Sequence, residues 1–213
     1  MKTDDLIAAL AADATPVPKG IVWRRWALAL ALALAGSILF LLMGWGVRPD
    51  IHQAMRTSPF WMKAGYTVAF GVAGLALVER AGRPGVSLGW GLALAGAGLA
   101  AILVLAVHEL MGMPMSDWRA DMMGSSARVC PYRILAISGP VFLVAMLTLR
   151  RMAPTRPAIA GAAAGLLAGG LGATIYGLHC QETAAAFTAT WYTLGMGLWP
   201  AVGALIGRWA LRW

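Results

Sequence analysis

Two cysteines, three histidines and nine acidic residues are all that 213 positions offer of the side chains that usually ligate metals or move protons. Two cysteines are too few for a disulfide scaffold. Neither belongs to a CxxC pair, so catalytic thiol exchange lacks the neighbouring resolving cysteine it normally uses. No Walker motif, dinucleotide glycine fingerprint or HExxH occurs. Enzymatic chemistry has no support, and no cofactor is expected beyond transient heavy-metal ligation. Acids are also scarce relative to the 17 basic residues, giving a formal charge of +8. Yet no basic cluster alternates with aromatics as a nucleic-acid surface requires. The positive charge fits anionic lipid and cytoplasmic anchoring instead, without direct nucleic-acid binding.

Charge is missing from long stretches of the chain, and 60% of its residues are hydrophobic. Trp26–Trp45 reads WALALALALAGSILFLLMGW, an uncharged run matching the roughly 20 residues that span a bilayer as a helix. In lipid each backbone N–H needs a partner within the structure, leaving helices or closed barrels. The absence of strand-like alternation selects helix. Further stretches follow at Phe60–Val78, Val86–Val107, Ile134–Leu149, Ala158–Leu178 and Trp191–Leu211. The fourth is expected to begin nearer Pro131, with Arg133 at the interface. Lys63 is expected to snorkel from one end of the second, and Trp199-Pro200 to kink the sixth. Glycine, at 26 residues, suits close approach between membrane helices. The fold class is therefore all-α: a polytopic membrane protein with six transmembrane helices. Residues 26–213 form the membrane domain and residues 1–25 a cytoplasmic tail. The late start of the first apolar run argues against a cleaved signal peptide.

Basic residues orient the chain. With the N-terminus inside, Lys2, Lys19, Arg24, Arg25, Arg80, Arg83, Arg150, Arg151, Arg156, Arg208 and Arg212 lie on the cytoplasmic side. Only Arg48, Arg56, Lys63, Arg119, Arg128 and Arg133 lie on the other, as the positive-inside rule expects. Both termini are then cytoplasmic. The three histidines, His52, His108 and His179, and both cysteines, Cys130 and Cys180, fall in or beside the outer connections.

The tail, MKTDDLIAALAADATPVPKGIVWRR, reads as a short amphipathic helix. Thr3 is the expected N-cap, Asp4 and Asp5 suit the first turn, and Leu6, Ile7 and Leu10 share a face. Pro16 and Pro18 end it. Its apolar face fits either the membrane or the underside of the bundle, or a groove on a cytoplasmic protein.

Cys130 and Cys180 leave three readings open: a disulfide that staples two loops, a reversible thiol or metal sensor, and inert thiols. His179 and Glu182 beside Cys180, with His108 at the end of the third helix, add candidate ligands for a soft or zinc-like ion. Thr67, Tyr66, Ser138, Thr174 and Tyr176 read as packing residues. A small metal or solute transporter and a membrane thiol-redox protein are the competing classes, although the third and fifth crossings contain no internal acid or base.

The opening TDDLI, the RVCP segment at Arg128–Pro131, and YGLHCQETAAAFTATWYTLG at Tyr176–Gly195 resemble the NrsF family over nearly the whole chain. The resemblance implies a bacterial inner-membrane negative regulator of an extracytoplasmic-function sigma factor. Asp4, Asp5, Leu6, Ile7 and Leu10 would then meet the sigma factor. Cys130 and Cys180 match the family's periplasmic pair, associated with metal or oxidative stress. Phe187, Trp191 and Tyr192 match its aromatic run, where packing or interface anchoring is expected.

Overall fold

The computed structural model describes residues 3–12, 20–83 and 85–212. Among them every regular element is helical: α1 (Thr3–Ala12), α2 (Ile21–Gly44), α3 (Ile51–Ala54), α4 (Ser58–Ala81), α5 (Gly89–Met111), α6 (Met115–Met123), α7 (Cys130–Arg150), α8 (Pro157–Tyr176), α9 (Ala185–Phe187) and α10 (Thr193–Ala210). A π-helical turn, Thr188–Tyr192, joins α9 to α10. Pro59, Pro131 and Pro157 sit in the first turns of α4, α7 and α8. The missing proline N–H costs nothing there, because first-turn amides have no intrahelical acceptor.

Five helices are long and apolar enough to cross a membrane: Trp26–Gly44, Ser58–Ala81, Gly89–Met111, Cys130–Arg150 and Pro157–Tyr176. The fourth starts at Cys130 and so takes in Pro131. The sixth expected stretch is arranged differently. Helix begins at Ala185, ahead of Trp191, passes through the π turn and continues through Pro200 to Ala210.

Helix α8 is the centre of the packing, flanked by α4, α7 and α10, while α2 and α5 expose most of their length. Small residues permit this. A Cβ on Gly161 would collide with the Gly203 carbonyl, and one on Gly203 with the Gly161 carbonyl. A Cβ on Gly165 would meet the Trp199 carbonyl, so α8 and α10 touch backbone to backbone. Gly74 of α4 likewise abuts the Leu167 backbone of α8. Polar side chains cross these seams in pairs: Tyr66 Oη with Thr193 Oγ1 at 2.7 Å, and Thr174 Oγ1 to Thr67 Oγ1 at 2.9 Å. Such pairing removes the cost of burying hydroxyls among apolar neighbours.

Helices α2, α4, α5, α7, α8 and α10 alternate in direction. One end of the bundle therefore gathers the connections after α2, α5 and α8. The other gathers the start of α2, the α4–α5 and α7–α8 turns and the end of α10. Thr3, the expected N-cap, lies within the described helix α1, with Asp4 and Asp5 in its first turn. Ile7 is exposed. The side chains of Leu6 and Leu10, and the expected breakers Pro16 and Pro18, lie outside the described residues.

Candidate functional site

Cys130 opens α7 and Cys180 follows α8, so antiparallel packing of these helices brings both to the same end. The two thiols are free, share one apolar cluster and are 0% and 3% exposed. They lie close enough to interact electrostatically. The buried Tyr176 and Tyr192 rings stand beside them with centroids 5.7 Å apart. Neither phenol has a hydrogen-bond partner among the described residues.

The loop carrying Cys180 is held from several sides. The Arg48 amide donates to the Leu178 carbonyl at 3.0 Å, and Arg48 Nη1 to the Cys180 carbonyl at 3.1 Å. The same guanidinium grips both Asp50 oxygens, at 2.8 and 2.7 Å. This pairing raises the Arg48 pKa and lowers that of the Asp50 carboxyl. His179 uses both ring nitrogens, Nδ1 to the Gly46 carbonyl at 3.0 Å and Nε2 to Arg133 Nη1 at 2.9 Å. Arginine has only donors, so Nε2 must accept and Nδ1 carries the proton. The Arg133 guanidinium also lies over the Trp45 ring, 5.3 Å from its centroid.

Lys63 corrects the sequence expectation. It does not snorkel outward but is 4% exposed, its Nζ donating to the Glu182 carbonyl and lying 5.2 Å from the Tyr192 ring centroid. Arg133, in the first turn of α7, points its charge at His179. Both cations turn toward the thiol-bearing loop, which supplies their acceptors: the Glu182 carbonyl for the buried Lys63 and the His179 ring for the half-buried Arg133.

Glu182 makes a second kind of link. Its Oε1 accepts from Ser125 N and Oγ at 2.8 and 2.7 Å, and from Ser126 N and Oγ at 3.1 and 3.0 Å. Burial works against its ionised form, but the four serine donors outweigh burial and hold the carboxyl below the usual carboxylate range. Ser126 in turn accepts from the Cys130 amide at 2.9 Å. Glu182 thereby ties the Cys180 loop to the turn that begins α7. The Glu182 carboxylate and Ser125–Ser126 line a cavity of about 360 Å³ with Arg48, Arg133, His179 and Cys180.

Other expected site residues are placed apart. His108 is exposed on the last turn of α5 and joins none of these hydrogen bonds. Its neighbour Glu109 accepts instead from the Ala186 amide at 3.0 Å. Among the described residues no three His, Cys, Asp or Glu side chains are grouped to hold a metal ion. Helix α6 covers the helix ends: Trp118 Nε1 donates to the Leu110 carbonyl at 2.7 Å and Trp191 Nε1 to the Met122 carbonyl at 2.9 Å. Sequence reasoning missed Ser125, Ser126 and Arg48. A serine doublet ahead of RVCP and a lone arginine in an apolar turn were the available signals.

A family model described as the negative regulator of sigma F, NrsF, matches residues 10–213. The chain is 43% identical to the anti-sigma-F factor NrsF of Caulobacter vibrioides over 216 residues, covering all of both chains. It is 38% identical to a probable anti-sigma-F factor NrsF of Azospira oryzae over 213 residues, again covering both completely. No solved structure matches.

Proposed function

The chain belongs to the NrsF family of negative regulators of sigma F, and from that we propose that it is a membrane-bound anti-sigma factor that holds an extracytoplasmic-function sigma factor until an outside stress reaches Cys130 and Cys180. Whole-length identity with proteins named anti-sigma-F factors is the observation that carries this reading. The role is regulatory and non-enzymatic.

In the proposed arrangement six helices cross the bacterial inner membrane, the sixth being the helical run 185–210, and both termini are cytoplasmic. The asymmetry of basic residues supports this orientation. The exposed side chains Leu28, Leu32, Val104 and Leu205 give the bundle an apolar flank suited to lipid. The N-terminal segment captures the sigma factor, with Asp4 and Asp5 meeting basic groups and Leu6, Ile7 and Leu10 entering an apolar groove. The short basic turns Glu79–Gly85 and Arg150–Pro157 add to the same face.

Oxidation or metal ligation of the thiols alters how α7 and α8 pack, because Cys130 and Cys180 lie at their adjoining ends. Ser138 of α7 fills the space beside Gly172 of α8, so the two helices cannot shift independently. Motion at the cysteine end is thus transmitted along rigid helices to the opposite end. A difference of about 1.4 kcal/mol between two packings changes their ratio tenfold, so a modest rearrangement suffices.

The test is co-purification. Full-length protein extracted in mild detergent should retain its sigma factor, and deletion of residues 1–15 or Leu6→Asp should release it. Retention by the deletion variant would move the binding face elsewhere; no sigma factor on the full-length protein would overturn the function.

A further inference from the structure

We propose that Glu182 is the positioning residue of the sensor: its carboxylate, clasped by Ser125 and Ser126, keeps the two cysteine segments closed over their thiols. The inference rests on the reading of Cys130 and Cys180 as the sensing pair, and it assigns the group that sets their accessibility.

The geometry connects the two segments through very few atoms. Cys180 and Glu182 belong to one connection; Ser125 and Ser126 belong to another, just ahead of Cys130 at the start of α7. Oε1 of Glu182 takes two main-chain and two hydroxyl donors from the serine pair. The carbonyl of Ser126 then takes the Cys130 amide. The backbone at Gly124 is shaped to this carboxylate: it has φ +49°, and a Cβ there would overlap the Glu182 carboxyl atoms. On its other side Glu182 is fixed through its main chain, where the buried Lys63 Nζ donates to its carbonyl. One residue is therefore gripped by α4 through its backbone and by the turn before α7 through its side chain.

Burial gives the clasp its consequence. With Cys130 and Cys180 0% and 3% exposed, almost nothing of either residue meets solvent in this arrangement. Reaction requires the segments to part. The serine–carboxylate contact lies beside the 360 Å³ cavity that Cys180 also lines, so parting there opens a path to the thiols. Charge-assisted hydrogen bonds are about twice as strong as neutral ones, which makes an ionised carboxylate with four donors an effective closure. The clasp also sits outside the apolar spans, where separation does not disturb the contacts among α4, α8 and α10.

The test measures thiol access directly. Full-length protein in detergent micelles, carrying Cys130→Ser or Cys180→Ser so that one thiol remains, is treated with a hydrophilic maleimide below its melting temperature. Glu182→Ala should speed labelling of either thiol about tenfold or more, equivalent to about 1.4 kcal/mol of opening. The milder Ser125→Ala/Ser126→Ala pair keeps the backbone donors and should give a smaller rise. Glu182→Gln, which keeps an acceptor oxygen and the side-chain shape, should restore part of the protection. Combining Glu182→Ala with the serine pair should add nothing beyond Glu182→Ala alone, the non-additivity expected of one shared contact. Rates unchanged by Glu182→Ala, or independent additive increases, would overturn the clasp. Should the variants expose the thiols while sigma factor stays bound under every oxidising condition, the clasp stands and the thiol-sensing reading falls.

Discussion

Lys63 of α4 donates its ammonium proton to the main-chain carbonyl of Glu182, joining the start of one central helix to the loop after another. Both partners are needed: the ammonium would otherwise lie unpaired among apolar groups, and the carbonyl would have no donor. The Tyr192 ring face, 5.2 Å away, completes the enclosure.

Lys63→Met should therefore destabilise the cysteine end even though methionine suits an apolar site. The carbonyl of Glu182 is left without its donor, a loss of about 1–3 kcal/mol. Thermal unfolding of the purified variant in detergent measures it. A melting temperature equal to that of the wild type would show that another donor takes over the carbonyl.

Gly124→Ala attacks the serine–carboxylate contact from the opposite side. The new methyl group occupies the Glu182 carboxyl position, and alanine is strained at φ +49°. Faster maleimide labelling of Cys180 is expected. Gly85→Ala also changes a positive-φ glycine, but nothing lies within reach of its Cβ. It should leave the labelling rate unchanged.

Gly165→Ala tests the central seam. The added methyl group meets the Trp199 carbonyl and the Pro200 nitrogen, neither of which can rotate away. Overpacking of this kind costs about 1–3 kcal/mol. Gly139→Ala, where nothing lies within 4 Å of the added atom, should stay within about 0.5 kcal/mol of the parent. Equal melting temperatures for the two variants would contradict the backbone contact of α8 with α10.

Cys130→Ser and Cys180→Ser should each block release of the sigma factor by oxidant or heavy metal while leaving capture intact. A transcriptional reporter of sigma activity, read with and without stress in cells carrying each variant, provides the measurement. Induction that matches the wild type in both variants would eliminate these thiols as the trigger.

Much of the helical framework was legible in the residues. Trp26–Gly44 needed only its uncharged length, and Pro131 marked where α7 begins. The run from Ala185 was harder. Its π turn at Thr188–Tyr192, with the Tyr192 and Phe187 rings in the cluster that holds the thiols, is something hydropathy does not register. The direction of Lys63 is hidden for a related reason. A lysine near the end of an apolar helix can extend toward water or turn inward, and the choice depended on an acceptor 119 residues away. Glu182 is visible in the sequence as a neighbour of Cys180, but its serine partners come from another connection.

By itself the order of residues determined the helices, because hydropathy, chain length and backbone hydrogen bonding act within one segment. It also determined the unequal spread of basic charge between alternate turns. Only tertiary structure decided that Cys130 and Cys180 share one buried cluster, that Lys63 points inward and that Glu182 closes on Ser125 and Ser126. Those outcomes require glycine-faced helices to approach at backbone distance, so that donors and acceptors from different connections meet at one end of the bundle.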